Sequence, residues 1–154
     1  MNRNNKLSDN FSLYEMARSE TAKRLGIDNT PPVDYIPRLR TLCKTILEPV
    51  RAHYGQPYRP NSVYRCLELN RALHSKDTSD HVTAYACDIE IAGVSNYDLA
   101  VWIRDNLEFA KIILECYTAG VPNSGWVHVS INPDIKQNTV LTYSGGLFRA
   151  GLHK

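Results

Sequence analysis

The sequence predicts an α+β fold in a single domain, in which N-terminal helices pack on a small, mainly antiparallel β-sheet. Apolar residues recur at steps of three and four early in the chain, which is typical of helices, and alternate with polar residues later, which is typical of strands. The 154 residues, 43% of them hydrophobic, suit one domain with a core. We therefore expect one domain over residues 1–154, with loose tails at 1–10 and 145–154.

Two short helices are predicted first. Ser12 and Glu15 have the spacing of a capping box, so a helix should begin near Leu13. A second helix should cover residues 19–25 and end at Gly26, because glycine readily adopts the left-handed conformation that closes a helix.

A longer helix is predicted over about residues 35–54. Its apolar positions share one helical face: Ile36, Leu39, Cys43, Ile46, Leu47, Val50 and Tyr54. Asp34 is the expected N-cap, Pro37 is tolerated in the first turn, and Gly55 ends the helix. Pro49 should kink the last turn, because it lacks an amide hydrogen. We expect this helix to be a scaffold packed on the sheet.

The second half of the chain carries the strand patterns. Alternation or β-rich composition predicts strands at 61–65, 85–91, 111–117, 126–131 and 139–143. Helical segments are expected at 67–73 and, after the capping residue Ser95, at 99–107.

Charge and composition exclude several classes of protein. A net charge of +2 is too small to indicate nucleic-acid binding, and no apolar run is long enough to span a membrane. We see no signal peptide, so we expect synthesis in the cytoplasm. The four cysteines form no CxxC pair, and we expect reduced thiols rather than two disulfides.

Two strands each carry one residue of a metal-ligating type. Asp88 and His128 both lie between apolar residues that must face the core, so both side chains should face the other side of the sheet. His81 precedes the first of these strands. A carboxylate and two imidazoles can hold zinc and leave a fourth position for water. Since a strand histidine is more often an ordinary polar residue, alternation alone leaves both interpretations open.

Three motifs resemble those of a known family. Ser79 and the segment 81–88 (HVTAYACD) resemble the SxHxxGxAxD signature of the D-Ala-D-Ala carboxypeptidase and L-alanyl-D-glutamate endopeptidase family. Residues 62–65 (SVYR) resemble its SGYR motif, and residues 126–128 (WVH) resemble its WxH motif. The three motifs occur in the family's order, and the resemblance runs from about residue 11 to residue 131.

The resemblance implies a fold similar to the hedgehog signalling domain and a Zn²⁺ ion held by His81, Asp88 and His128. It also implies a peptidoglycan stem-peptide substrate. The chain looks most similar to short phage and prophage members, which favours a lysis endopeptidase over a D-Ala-D-Ala carboxypeptidase. We expect a monomer that reaches the cell wall through a partner pore, without inserting into the membrane or binding nucleic acid.

The chain departs from the family pattern at three positions, two where the family has glycine and one where many members have glutamate. Ala84 and Val63 stand where the first two motifs have glycine. If the first position needs a positive φ, Ala84 is strained by about 1 kcal/mol. Many members carry a glutamate three residues before the last histidine, where this chain has Gly125. The catalytic base must then come from elsewhere.

Glu115 is the predicted general base. It interrupts an apolar β-rich run, where an unpaired carboxylate is costly, so a salt bridge or an edge position is the alternative interpretation. Phage-type relatives imply a catalytic role at this place, and Glu90 and Asp80 are the reserve candidates. Arg65 resembles a family arginine that faces the substrate, which implies a catalytic role in which it binds a peptide carboxylate or stabilises the developing oxyanion. We expect Ser79, Tyr64 and Trp126 to line the substrate cleft.

Two other functions stay open at this point. The chain could be a zinc-stabilised cell-wall-binding or virion-structural domain without activity, an alternative that the changes at Ala84 and Gly125 favour. It could also be a cysteine hydrolase that pairs Cys116 or Cys87 with His128, although neither thiol has an obvious activating neighbour.

Overall fold

The computed structural model describes residues 5–154 and has the α+β architecture that the sequence predicts. The helices are α1 (Leu13–Ala17), α2 (Glu20–Leu25), α3 (Ile36–Leu42), α4 (Glu48–Tyr54), α5 (Leu67–Ala72) and α6 (Asn96–Asn106). The strands are β1 (Ala86–Ile89), β2 (Lys111–Glu115), β3 (Trp126–Ser130), β4 (Thr139–Ser144) and β5 (Leu147–Ala150). No helix within residues 5–154 is long and apolar enough to cross a bilayer.

The first helix begins at the predicted residue, and the second covers the predicted range except Ser19, which is its N-cap. Ser12 and Glu15 form the capping box, in which the Ser12 amide donates to Glu15 Oε2 at 2.9 Å. Ser19 caps α2 through the Ala22 amide, and Gly26 closes it with φ +68°. These local patterns are therefore enough to place both helices.

The backbone of the long helix stays helical from residue 36 to residue 54 but changes its hydrogen-bonding pattern. Between α3 and α4, the segment Cys43–Leu47 is a π-helical turn, in which the Glu48 amide donates to the Cys43 carbonyl. Pro49 lies two residues after this turn and has no amide hydrogen, so it cannot donate to the carbonyl of Thr45 as a regular α-helix requires. The irregularity therefore lies at residues 43–47, before Pro49, and not in the last turn, where a kink was predicted.

The prediction that Asp34 caps this helix is wrong. Asp34 lies inside a 3₁₀ turn, Val33–Tyr35, and its side chain makes no cap hydrogen bond. An N-cap at Asp34 would need the amides of Ile36 or Pro37. The first already donates to the Val33 carbonyl, and proline has none.

The five strands form one sheet in the order β1-β3-β2-β4-β5. Three of the four pairings are antiparallel, and β2 and β4 are parallel. One face of β1, β2 and β3 is apolar and fully buried in the core that also contains the long helix and α6: Cys87, Ile89, Ile112, Leu114, Val127 and Val129. The opposite face of these three strands is therefore free to carry polar groups.

Both predicted tails need correction. Residues 5–10 are anchored, because Ser8 Oγ and the Asn10 amide donate to the Glu48 carboxylate at 2.6 and 2.8 Å; residues 1–4 lie outside the described part. The segment 145–154 contains β5, which pairs with β4. Its Gly-Gly turn has φ of +57° and +78°, which allows a tight hairpin to cover the edge of β4.

Candidate metal centre

Strand pairing brings Asp88 and His128 together. They are direct partners in the antiparallel register of β1 and β3, and both side chains lie on the face opposite the core. Their apolar neighbours are fully buried on the core side, which fixes the orientation of the polar pair. Both side chains are nevertheless buried, so a loop must cover them.

That covering loop carries His81, which is only 2% exposed. Its Nδ1 lies 2.7 Å from the Val63 carbonyl oxygen. Because a carbonyl can only accept, Nδ1 donates to it, and this contact turns Nε2 towards Asp88 and the metal site. The turn after His81 contains Ala84 at φ +62°. The position at which the family motif has glycine therefore does adopt the left-handed conformation, as the sequence analysis considered.

The donor atoms of the three residues have the spacing of a zinc site. His81 Nε2 lies 3.2 Å from Asp88 Oδ2, and His128 Nδ1 lies 3.0 Å from Asp88 Oδ1. The whole set falls within 4.8 Å. Tetrahedral zinc with bonds of about 2.0–2.1 Å places its ligands about 3.3 Å apart, so small adjustments would accommodate the ion. The residues present therefore fit zinc.

Electrostatics keeps Asp88 in the form that a metal needs. Burial alone would raise its pKa, but the positive charge of protonated His81 and the hydrogen bonds from His128 and His81 more than offset this effect and lower it well below the usual range. An ionised carboxylate between two imidazoles is a suitable ligand for a divalent cation.

Arg65 contacts the metal-binding group rather than standing alone in the cleft. Its Nη2 donates to Asp88 Oδ2 at 3.0 Å, and its Nε donates to Ser62 Oγ at 2.8 Å. The guanidinium therefore orients Asp88 and brings a positive charge to the edge of the site. Direct contact of Arg65 with a substrate stays a prediction.

Glu115 is the carboxylate beside the three ligands. Its Oε1 lies 4.0 Å from His128 Nδ1, and the side chain is 22% exposed. Burial raises its pKa above the usual glutamate value, and the nearby negative charge of Asp88 adds to this effect. A partly exposed carboxylate with a raised pKa, next to a metal site, has the properties of a general base.

The two reserve candidates are bound to other groups. Glu90 accepts hydrogen bonds from Asn61 Nδ2 at 2.6 Å and from Asn96 Nδ2 at 3.3 Å. Asp80 accepts one from Asn132 and lies 3.5 Å from Lys111 Nζ. These partners tie Glu90 and Asp80 into the scaffold, so Glu115 is the best-placed of the three carboxylates for the predicted role of base.

A cleft of about 380 Å³ opens beside the ligands. Its wall includes the predicted residues Arg65 and Trp126 together with Asp88. The sequence analysis missed further wall residues: Arg18, Ser19, Glu20, Thr21, Asn61, Ser62 and Leu73. Most of these belong to the start of α2 or to the SVYR segment, and no local pattern indicates that α2 reaches the site.

The other two residues predicted to line the cleft have different positions. Tyr64 is buried in the hydrophobic core, with its ring 6.1 Å from that of Tyr35, which corrects the prediction that it lines the cleft. Ser79 Oγ accepts a hydrogen bond from the His81 amide at 3.4 Å, so it supports the ligand loop. Contact of Ser79 with a substrate stays a prediction.

Gly125 cannot carry the glutamate that many relatives have at its position. It has φ +68°, and a Cβ there would overlap the Glu115 carbonyl oxygen and lie 2.7 Å from the Cys116 carbonyl carbon. The turn therefore packs directly against the backbone of the strand that bears the candidate base.

We expect Gly125→Ala to destabilise the protein by about 2–5 kcal/mol, the sum of left-handed strain and overpacking against rigid backbone. Gly120→Ala is the matched control, because Gly120 has φ +79° but open space around its Cβ position. It should cost about 1 kcal/mol from strain alone. Urea denaturation of both variants measures the difference, and equal losses would show that the close packing at Gly125 is unimportant.

The cysteines do not form a nucleophilic site. All four are free, as expected. Cys87 faces the core, where burial raises its pKa well above the usual value and makes a thiolate unfavourable. Cys116 follows Glu115 at the exposed end of β2. Neither thiol has a hydrogen bond to His128 among the contacts of residues 5–154, which removes the support for a cysteine hydrolase.

Comparison with known families gives a match over most of the chain. The sequence model of the family described as Peptidase M15 matches residues 9–130, a span that contains all three candidate ligands and Glu115. This finding confirms the resemblance identified from the three motifs. The comparison with curated proteins found no match.

Proposed function

Because the chain belongs to the Peptidase M15 family, we propose that it hydrolyses stem peptides of peptidoglycan as a zinc-dependent endopeptidase of the phage lysis type. The family indicates a peptidase, and the His81, Asp88 and His128 cluster accounts for the metal. The observation that supports catalysis is Glu115 Oε1, 4.0 Å from the ligand atom of His128. A carboxylate at this position can reach a water molecule beside the ion.

Bound zinc would supply Lewis acidity, polarising the scissile carbonyl and acidifying water. The Glu115 carboxylate would take a proton from the attacking water and return it to the leaving amine. Arg65 holds Asp88 in place and adds positive charge where the carbonyl oxygen becomes negative. Trp126, on the cleft wall, would bound the space available to the peptide.

The hydrogen bonds of Arg65 make this residue a poor anchor for the terminal carboxylate that a carboxypeptidase recognises. A carboxypeptidase needs a cation that is free to bind the terminal carboxylate. Arg65 is mostly buried, and two of its N–H groups already donate to Ser62 and Asp88. It is therefore poorly disposed to grip a chain end in a bidentate pair. Release to the wall through a partner pore and action as a monomer are part of this proposal.

Digestion of purified peptidoglycan with the zinc-loaded protein tests the proposed function. We expect new free amino groups and, by mass spectrometry, cleavage between stem-peptide residues rather than loss of the terminal D-alanine. A chelator should stop the reaction, and a thiol alkylator should not. Loss of only the terminal residue would identify a carboxypeptidase.

A protein that binds zinc and wall but releases no amino groups from peptidoglycan of several chemotypes would instead be the inactive binding or virion-structural domain. The strained Ala84 in the ligand loop is the observation that favours this second candidate.

A further inference from the structure

A row of four side chains crosses the sheet on the face that carries the metal site. Trp126 on β3 pairs with Glu115 on β2, Glu115 pairs with Tyr143 on β4, and Tyr143 pairs with Phe148 on β5. Directly paired residues of neighbouring strands place their side chains on the same face. The candidate base is therefore flanked by aromatic residues on both sides.

Tyr143 and Phe148 form an aromatic pair at the outer end of this row. Their ring centroids are 4.6 Å apart, and Phe148 is 58% exposed. The other residues of β4 and β5 on this face carry no charge: Thr139, Leu141 and Ala150. An exposed aromatic surface without charge, continuous with a candidate active site, is typical of a ligand-binding surface.

The aromatic pair lies outside the part of the chain that matches the family. The match ends at residue 130, whereas β4 and β5 begin at Thr139 and Leu147. The pair stands two and three strands from β3, or roughly 10 and 14 Å at about 4.8 Å per strand. This distance suits a substrate group next to, but not at, the reacting bond.

We propose that the aromatic pair binds a sugar ring of the glycan strand to which the stem peptide is attached. This inference rests on the proposed function. Stem peptides carry free carboxylates and amines, which an uncharged aromatic surface does not favour. A sugar ring has a face of carbon-bound hydrogens with small positive charge, and this face packs well against the electron-rich face of an aromatic ring.

Kinetics with two substrates test the inference: a stem peptide attached to its disaccharide, and the same peptide without sugar. Phe148→Ala should lower kcat/KM on the sugar-linked peptide about three- to tenfold, because one aromatic contact contributes a binding free energy of that size. The change should appear as a higher KM. It should leave the free peptide unaffected. Leu147→Ala is the matched control, because Leu147 is 69% exposed and lies on the opposite face of β5. It should change neither rate.

Equal losses on both substrates, or the same loss in Leu147→Ala, would overturn the inference. If the wild type cleaves neither peptide, the proposed function fails. Calorimetry can still test whether the aromatic pair binds the sugar. In that case Phe148→Ala must weaken binding of the disaccharide-linked peptide. An affinity in Phe148→Ala equal to that of the wild type would refute the sugar site, and so would a wild type that shows no detectable binding. Dissociation of a dimer by Phe148→Ala in sedimentation would identify a second copy of the chain as the occupant instead.

Discussion

Glu115→Gln is expected to lower kcat on peptidoglycan peptides by about 10²–10⁴-fold, the usual contribution of a general acid–base group. The amide has almost the same shape as the carboxylate but cannot take a proton from water. Zinc stoichiometry should stay at the wild-type value, because Glu115 lies beside the ligand set rather than in it. Rates of amino-group release and metal analysis of the purified variant measure the two effects separately.

Glu90→Gln is the matched control for this experiment. Glu90 follows β1 on the same side of the sheet, but its carboxylate accepts hydrogen bonds from two asparagines, so an amide there should reduce kcat less than about threefold. If Glu115→Gln keeps its turnover while Glu90→Gln or Asp80→Asn loses it, the base has been assigned to the wrong carboxylate.

Asp88→Ala is expected to remove both zinc binding and turnover. The carboxylate contacts the ligand atoms of His81 and His128 and also accepts from Arg65 at 3.0 Å. Losing a direct ligand should weaken zinc binding by more than the roughly 10–100-fold that outer-shell changes cost. In the zinc-free protein, Arg65 would become a mostly buried cation without its partner, at a cost of about 3–5 kcal/mol.

Metal titration and chemical denaturation of the zinc-free protein test these two effects. Asp77→Ala is a suitable control, since Asp77 lies in the loop before His81 but pairs with the exposed Arg71. It should keep wild-type zinc affinity and lose less than about 1 kcal/mol of stability. An Asp88→Ala protein that binds one zinc ion per chain with wild-type affinity would contradict the ligand assignment.

Local patterns predicted the parts of this protein that depend on neighbouring residues. The capping box at Ser12 and the orientations of Asp88 and His128 follow from side-chain spacing alone, because capping and strand alternation are short-range effects. Alternation could not decide whether these residues bind a metal. The three motifs, which occur in the family's order, implied that they do.

Features that depend on distant residues were not predictable in the same way. The parallel pairing of β2 with β4 joins segments separated by a strand and two turns, and no local pattern specifies it. Tyr64 lies in a motif that resembles a substrate-facing segment, yet packing against Tyr35 places it in the core. Residues 145–154 appeared too rich in glycine for a strand, but those glycines form the turn that makes β5 possible.

The close packing of Gly125 also limits how the site could evolve. A glutamate at position 125 is blocked by the backbone of residues 115–117, whichever side chain position 115 carries. Moving a catalytic carboxylate from β2 to this turn would therefore require a change in loop length or path, not a single codon change. We therefore expect any relative with its base at this turn to differ from this chain in the length or path of the loop between β2 and β3.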